Sequence, residues 1–524
     1  MALVEEHYQD AARLAHEASQ VPSRAAEAAE LEGRAWLASG TATFERGALA
    51  EGARELQAAA AAFRRAGDIA RSGQTPRLLL VEAELRIAKI AMLQSGPKLA
   101  RLAAADSALR EAAILVPDSP DFLTSSAELE SERGRLLRML GRDSSQALTT
   151  ALEQARRAAA TSPDPRRALE RLAWACANAG DELADGGTRD PGPVWAEGLA
   201  AAARARSLSP DSSSPLTLET QMLLRRADRQ NERGGDGLAD AEQAAANARR
   251  LIEIGDRPVL ARSLAAQALR AIGLWRLQAG GDPGPDFAGA SAMAREVIER
   301  SQANASSLAW GIYIAAAQVE ADLAEGRVPT QALALGTGWA EQLLAQQKGN
   351  LMVNGQVGEW TVWRARAEAL AGRDPQPLLA KAEQLLLPAA RSGQVTPLLW
   401  QRLAEASLVR AQWLRAHGGE PQAALTAALD FARRLQQGDP TSCEGPLLEG
   451  RILLARTSPD PTRACILAEQ AVKLNPRSAP GWLLLARARQ ASGQRAEARA
   501  ALAKAATLLP RLAGLAELRA ALNL

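Results

Sequence analysis

The sequence is poor in aromatic residues, which make up only 3% of its 524 positions. Runs of β-branched and aromatic residues, which strands favour, are nearly absent. Apolar residues nevertheless reach 47%, so the chain can bury a large core built mainly from alanine and leucine. Closely packed helices suit such a core better than a sheet does. We therefore predict an all-α protein.

Cysteine and histidine are also scarce. The chain has three of each, at Cys176, Cys443, Cys465, His7, His16 and His417. This is too few for a disulfide framework, and none of them shows the spacing of zinc ligands. Phosphate-binding loops are missing as well, because Glu341 stands where a dinucleotide loop starting at Gly336 needs its third glycine. We expect no metal, no cofactor and no enzymatic activity.

Charge of one sign is not in excess. The 62 basic and 60 acidic residues leave a formal charge of +2, and the two signs alternate along the chain. Such alternation is typical of salt-bridged helix faces and gives no footprint for nucleic acid. The first ten residues include Glu5, Glu6 and Asp10, and the longest uncharged stretch, 301–319, contains Ser, Asn and Gln. We therefore expect a cytoplasmic protein with no signal peptide and no membrane span.

A turn motif, Gly-x-Asp-Pro, recurs along the chain. Its acidic position falls every 46 residues, at Asp190, Asp236, Asp282, Val328, Asp374 and Glu420. Glycine ends one helix in the left-handed conformation, aspartate caps the next helix, and proline fits that helix's first position. A second proline closes the following helix, as in Leu474-Asn475-Pro476. The pattern predicts about nine or ten pairs, each made of a helix A, a short turn and a helix B.

These pairs run without a long linker or a break in composition. We predict one continuous solenoid over residues 1–524. Residues 1–90 would hold helical pairs with a weaker repeat signal, 91–440 the long 46-residue units, and 441–524 shorter units with a capping helix.

The last repeat resembles a tetratricopeptide repeat. Its signature positions are Trp482, Leu485, Ala486, Gly493, Ala498, Leu502, Ala505 and Pro510. The long units and their turn motif are similar to the repeat-rich C-terminal regions of bacterial serine/threonine protein kinases. The resemblance implies a bacterial protein folded as a right-handed α-solenoid that recruits partners or regulates a kinase. A kinase domain itself is not encoded, since Asp286-Phe287 is followed by Ala288 and not by glycine.

Helix A carries one polar, somewhat acidic stripe, which has two interpretations. It is either the solvated face of the solenoid or the concave surface on which tetratricopeptide arrays bind extended peptides or helices. In the second case the stripe favours a basic or polar segment, and one of Trp360 and Trp363 would line the groove. The candidate contact residues are Glu182, Asp228, Tyr313, Glu320, Glu359, Trp363, Arg366 and Glu405.

The main hypothesis is a non-enzymatic scaffold that binds a protein or peptide on the concave helix-A face. The alternative is a regulatory or substrate-recruiting arm of a bacterial kinase system whose catalytic domain is not in this chain, with the kinase or its substrate as partner. Self-association stays open. An RNA-binding helical repeat would need a continuous basic groove, which the alternating charges disfavour.

Overall fold

The structure, a computed structural model, describes residues 2–45, 48–95, 98–140, 142–185, 190–255, 257–391 and 397–523. Within these ranges all regular secondary structure is helical, so the predicted all-α solenoid is confirmed. Two short 3-10 helices lie at Pro22–Arg24 and Leu99–Leu102. The α-helices are α1 (Ala2–Ala18), α2 (Ala25–Glu45), α3 (Leu49–Ile69), α4 (Gln74–Ser95), α5 (Ala103–Leu115), α6 (Pro120–Met139), α7 (Ser145–Thr161), α8 (Pro165–Asp185), α9 (Gly192–Leu208), α10 (Ser213–Glu232), α11 (Leu238–Ile254), α12 (Pro258–Gln278), α13 (Gly284–Arg300), α14 (Ala305–Ala324), α15 (Thr330–Gln346), α16 (Leu351–Leu370), α17 (Gln376–Arg391), α18 (Pro397–Ala416), α19 (Gln422–Gly438), α20 (Glu444–Ala455), α21 (Pro461–Leu474), α22 (Ala479–Ala491), α23 (Arg495–Leu508) and α24 (Leu515–Ala521).

The helices alternate as helix A (even numbers, α2 to α22) and helix B (odd numbers, α3 to α23). The described residues thus hold eleven pairs, flanked by α1 and α24. The sequence count of nine or ten was lower because the first pairs lack the Gly-x-Asp-Pro turn that marks the later ones.

The glycine and the aspartate of the turn motif act as predicted, whereas Pro283 lies at the N-cap, one residue before the first position of α13. Gly280 and Gly372 adopt φ values of 76° and 72°, the left-handed region that ends the preceding helix A. The Asp282 Oδ1 atom accepts a hydrogen bond from the Gly284 backbone N–H at 2.9 Å. Asp374 does the same for Gln376 at 3.0 Å, so each aspartate satisfies a donor at the start of the next helix B.

Contacts divide the chain into two compact units. Unit 1 comprises Met1–Gly180, Pro193–Glu219 and Leu251–Val259. Unit 2 comprises Asp181–Gly192, Thr220–Arg250 and Leu260–Leu524. The single continuous solenoid over 1–524 stays a prediction.

Unit 1 contains a buried network of charges between its A helices. Glu128 and Glu132 on α6 are 4% and 1% exposed. Lys89 of α4 lies 3.4 Å from Glu128 and 3.1 Å from Glu132, and Arg171 of α8 lies 2.9 Å from Glu128. Burial raises the pKa of Glu128, but Arg171 and Lys89 outweigh that effect and lower it to about 2. Glu128 is therefore charged, and its charge links three A helices.

Unit 2 packs its helices closely by means of small residues. Gly273 of α12 faces Phe287 of α13, and a Cβ added to the glycine would lie 2.9 Å from the Phe287 Cε1 atom. Gly336 of α15 likewise leaves room for the ring of Trp360, which is 1% exposed. Glycine at these positions therefore lets a large aromatic side chain lie directly against the neighbouring helix.

The later repeats of unit 2 contact its earlier ones. The Asn475 Nδ2 atom donates to the Glu232 carbonyl at 3.0 Å, and the Arg477 Nη1 atom donates to the Gly235 carbonyl at 2.9 Å. Further along, the Ala513 backbone N–H donates to the Ala324 carbonyl at 2.8 Å. We name these contacts the seam of unit 2. They join the turns after α10 and α14 to the turns after α21 and α23.

Candidate partner-binding surface

Successive A helices of unit 2 contact one another, as α14 does with α16, and α18 with α20. Successive B helices in the described ranges show no comparable contacts, so we infer that the A helices lie on the inner side of the repeat stack. Side chains also interact across more than one repeat, since Glu320 of α14 is within electrostatic range of Arg402 of α18 and of Glu444 of α20. We name the polar faces of α14, α16, α18 and α20, together with those of the parts of α10 and α12 that belong to unit 2 (220–232 and 260–278), the inner surface of unit 2.

Arg402 is the most connected charge on the inner surface. Its Nε atom donates to Glu359 at 3.0 Å and its Nη1 atom to Glu405 at 2.9 Å. Burial lowers the pKa of Arg402, but Glu405, Glu359 and Glu320 outweigh it and hold the pKa above its usual value. Burial raises the pKa of Glu405, yet Arg402 and Arg366 bring it below the usual range. Both groups stay charged, which makes the network a fixed part of the surface.

Trp363 lies beneath this network. Its side chain is 1% exposed, so the ring is buried and does not itself form the open surface. The guanidinium carbons of Arg402 and Arg366 lie 4.3 Å and 4.6 Å from the ring centroid. Arg366 also lies 3.6 Å from Glu405. Trp363 therefore supports the two arginines by cation–π contact.

A second cluster lies nearer the start of unit 2. Arg270 of α12 is 4% exposed and donates to Asp228 of α10. Its guanidinium carbon lies 4.3 Å from the ring centroid of Tyr313 on α14. Trp310, one turn before, meets Tyr313 edge to face with 5.7 Å between ring centroids. The two rings are 39% and 40% exposed and are the exposed aromatic side chains within the described ranges.

Glu320 and Glu444 differ from the other inner carboxylates. Neither has an arginine or lysine within ion-pair distance in the part of the chain that the structure describes. Glu444 accepts weak hydrogen bonds, from Gln401 at 3.5 Å and from the Cys443 thiol at 3.7 Å. Desolvation together with the charges of Glu405 and Glu320 raises the pKa of Glu444 to about 7, against Arg402 and Arg451. Desolvation also raises the pKa of Glu320.

A cavity of about 460 Å³ opens where the C-terminal ends of α14, α16 and α18 meet α20. Leu323, Leu370, Trp413, Arg366 and Arg451 are among the residues that line it. The cavity continues the inner surface past Arg366, and it adds apolar side chains to a surface that is otherwise mostly charged.

The structure thus places six of the eight candidate residues on the inner surface and Trp363 directly beneath it, in two clusters. Asp228 and Tyr313 belong to the first, and the second contains Glu320, Glu359, Trp363, Arg366 and Glu405. Glu182, near the end of α8, is half-buried and forms no hydrogen bond or ion pair with the residues described.

Sequence reasoning missed the arginines that neutralise the stripe. Arg402 precedes the candidate Glu405 by three residues, so the two share a helix face. That spacing was the available signal. The candidate residues occupy fixed positions in the 46-residue unit, whereas Arg270 and Arg402 occur at positions where other units carry apolar or neutral residues. The surface is consequently ion-paired and not simply acidic.

Within the described ranges, no group of three or more His, Cys, Asp or Glu side chains is arranged to hold a metal ion. No described helix is long and apolar enough to span a bilayer.

Comparison with known proteins gives structural neighbours only. No family model matches the chain, and a search of curated proteins finds no match. Similar solved structures include yeast Tom70, with 16% identity, a TM-score of 0.32 and coverage of 85% of this chain and 95% of that one. The human IFIT1 dimer with m7Gppp-AAAA has 12% identity, a TM-score of 0.46 and coverage of 81% and 89%. A tetratricopeptide repeat protein from Parabacteroides merdae has 12% identity, a TM-score of 0.37 and coverage of 62% and 98%. Tetratricopeptide-repeat proteins are therefore among the structural neighbours, and at these identities the likeness concerns the α-solenoid fold alone.

Proposed function

We propose that this protein is a non-enzymatic scaffold that binds an extended segment of a partner protein on the inner surface of unit 2. The observation that carries the proposal is the convergence of side chains from six successive A helices, α10 to α20, on one surface. Trp310 and Tyr313 stand exposed on that surface, although other faces of α14 supply core residues such as Ile312 and Val319. Exposed aromatics within a polar surface are typical of protein-binding sites.

The chemistry of the surface supports binding and gives no support to catalysis. Its buried charges form ion pairs with one another, as Arg402 does with Glu359 and Glu405. The thiols are not activated, because burial raises the pKa of Cys176 to about 12 and also raises the pKa of Cys443. A cytoplasmic location belongs to the same proposal.

The kinase-arm alternative rests on the sequence resemblance alone and stays a prediction. RNA binding is disfavoured because the arginines Arg270 and Arg402 are already paired with carboxylates, which leaves few free cations for phosphates.

Photo-crosslinking tests the proposal. Benzoylphenylalanine replaces Tyr313 on the inner surface in one variant, and exposed Glu341 on α15 in the other. The two positions belong to the same helical pair and differ in the face they occupy. After irradiation in a lysate of the source cells, we expect the Tyr313 variant to form adducts with a defined polypeptide segment and the Glu341 variant to form none. Equal adducts from both positions, or adducts only at Glu341, would refute the proposed surface.

A further inference from the structure

The inner face of α14 combines aromatic rings with a carboxylate. Trp310, Tyr313 and Glu320 follow one another at intervals of three and seven residues, so they share one face of the helix. All three are exposed, whereas Leu308 and Val319 on other faces are 0% exposed. The face therefore presents two π-systems and, about two helical turns further on, a negative charge.

The carboxylates around this face are not fully compensated. Asp228, Glu359 and Glu405 each have an arginine partner, whereas Glu320 and Glu444 have none among the residues described. The negative charges of Glu320 and Glu444 repel one another, and the charge of Glu405 repels both. Arg366, Arg402 and Arg451 lie within electrostatic range of these carboxylates, but three arginines face the four carboxylates Glu320, Glu359, Glu405 and Glu444, so the place has one negative charge in excess when all four are ionised.

Aromatic faces and carboxylates both attract cations. A cation held over Tyr or Trp is stabilised by the ring quadrupole, and a cation near two carboxylates gains ion pairs. Arg270 already shows the first interaction, since its guanidinium lies 4.3 Å from the Tyr313 centroid. The long alkyl stems of lysine and arginine also pack well along exposed rings.

We propose that the inner face of α14 binds a lysine or arginine side chain of the partner's extended segment, with Tyr313 and Trp310 contacting its stem and Glu320 and Glu444 its charge. This inference rests on the proposed function and specifies the chemistry of the ligand.

Binding of a cation at this place is coupled to the loss of a proton from Glu444. The charged groups that face Glu444 are Glu405, Glu320, Arg402 and Arg451. Because its pKa lies at about 7, Glu444 is mostly protonated at pH 6 and must lose that proton to pair with a cation. A basic segment therefore binds more tightly as the pH rises from 6 to 8, by about tenfold if one proton is released.

The experiment begins with a random nonapeptide library displayed on phage and selected on the full chain. A recovered peptide and its Lys/Arg→Gln version are labelled with fluorescein, and their affinities are measured by fluorescence anisotropy. The protein variants are Glu320→Gln, Tyr313→Leu, Glu444→Gln and, as the matched outer control, Glu341→Gln. Circular dichroism checks that each variant is folded.

We expect recovered peptides to share a basic residue. Affinity should fall about fivefold to tenfold in Glu320→Gln and about threefold in Tyr313→Leu, and should be unchanged in Glu341→Gln. Glu444→Gln should remove the pH dependence between 6 and 8. Peptides that bind the inner surface without a basic residue, or whose affinity is unchanged by Glu320→Gln, overturn this inference and leave the proposed function standing. Peptides that are displaced only by changes outside the inner surface, or a selection that recovers none, overturn both.

Discussion

The Asn475 side-chain amide donates to the Glu232 carbonyl at 3.0 Å, although 243 positions separate the two residues. The same side chain accepts the Arg477 backbone N–H at 2.9 Å, so both of its polar atoms are fixed. This contact belongs to the seam that joins the early and late repeats of unit 2. The repeats near the seam are therefore stabilised by more than their neighbours along the chain.

The seam predicts different effects for the same substitution at equivalent turn glycines. Gly234 and Gly418 both end an A helix, with φ values of 69° and 73°. An added Cβ at Gly234 would lie 2.2 Å from the Asn475 Oδ1 atom, whereas at Gly418 it would meet nothing within 4 Å. Both alanine variants carry the left-handed strain of about 1 kcal/mol, and Gly234→Ala should lose about 1–2 kcal/mol more. Thermal unfolding measures the difference, and equal shifts in Tm would refute the seam.

A second matched pair lies within α15. A Cβ at Gly336 would approach the Trp360 ring to 2.3 Å, whereas a Cβ at Gly338 would meet nothing within 4 Å. Gly338→Ala should stabilise the protein by about 0.5–1 kcal/mol through helix propensity. Gly336→Ala should destabilise it by about 1–3 kcal/mol because the ring must move. Urea unfolding followed by circular dichroism gives both values, and a stabilised Gly336→Ala would contradict the packing.

Arg402 holds two carboxylates of the inner surface, and its loss leaves them partly uncompensated. Arg402→Met should cost about 3 kcal/mol, since Glu405 and Arg402 are 7% and 6% exposed. Arg410→Met on the same helix removes a more exposed pair with Glu383 and should cost at most about 1 kcal/mol. Chemical denaturation compares the two variants. Similar losses would show that the inner network contributes no more than a surface ion pair.

The acid sensitivity of unit 1 follows from Glu128. Its pKa in the folded protein is about 2, below the usual 4.5, so the unfolded chain takes up the proton first as the pH falls. The stabilisation is complete above pH 4.5 and is lost progressively towards pH 2. Glu128→Gln should therefore lower Tm at pH 7 and have much less effect at pH 3. A difference in Tm that is constant over this range would contradict the assignment.

The sequence predicted the local structure well, because turn chemistry is encoded locally. Gly280 and Asp282 adopt the conformation and the cap that their motif requires, and most of the candidate residues lie on one surface. The seam could not be predicted, since the contact of Arg477 with Gly235 depends on the accumulated curvature of several repeats. Trp363 is buried for a related reason. The position of a residue within the repeat shows which face of the helix it occupies, but not whether a neighbouring arginine covers it.

The most direct test compares partner capture by two charge reversals in one helical pair. Glu320→Lys changes an unpaired inner carboxylate of α14, and Glu341→Lys changes an exposed carboxylate of α15. Each folded variant and the unaltered protein are used as bait, and captured proteins are quantified by mass spectrometry. We expect a partner that is kept by Glu341→Lys and lost by Glu320→Lys. A partner kept equally by both variants would contradict binding on the inner surface.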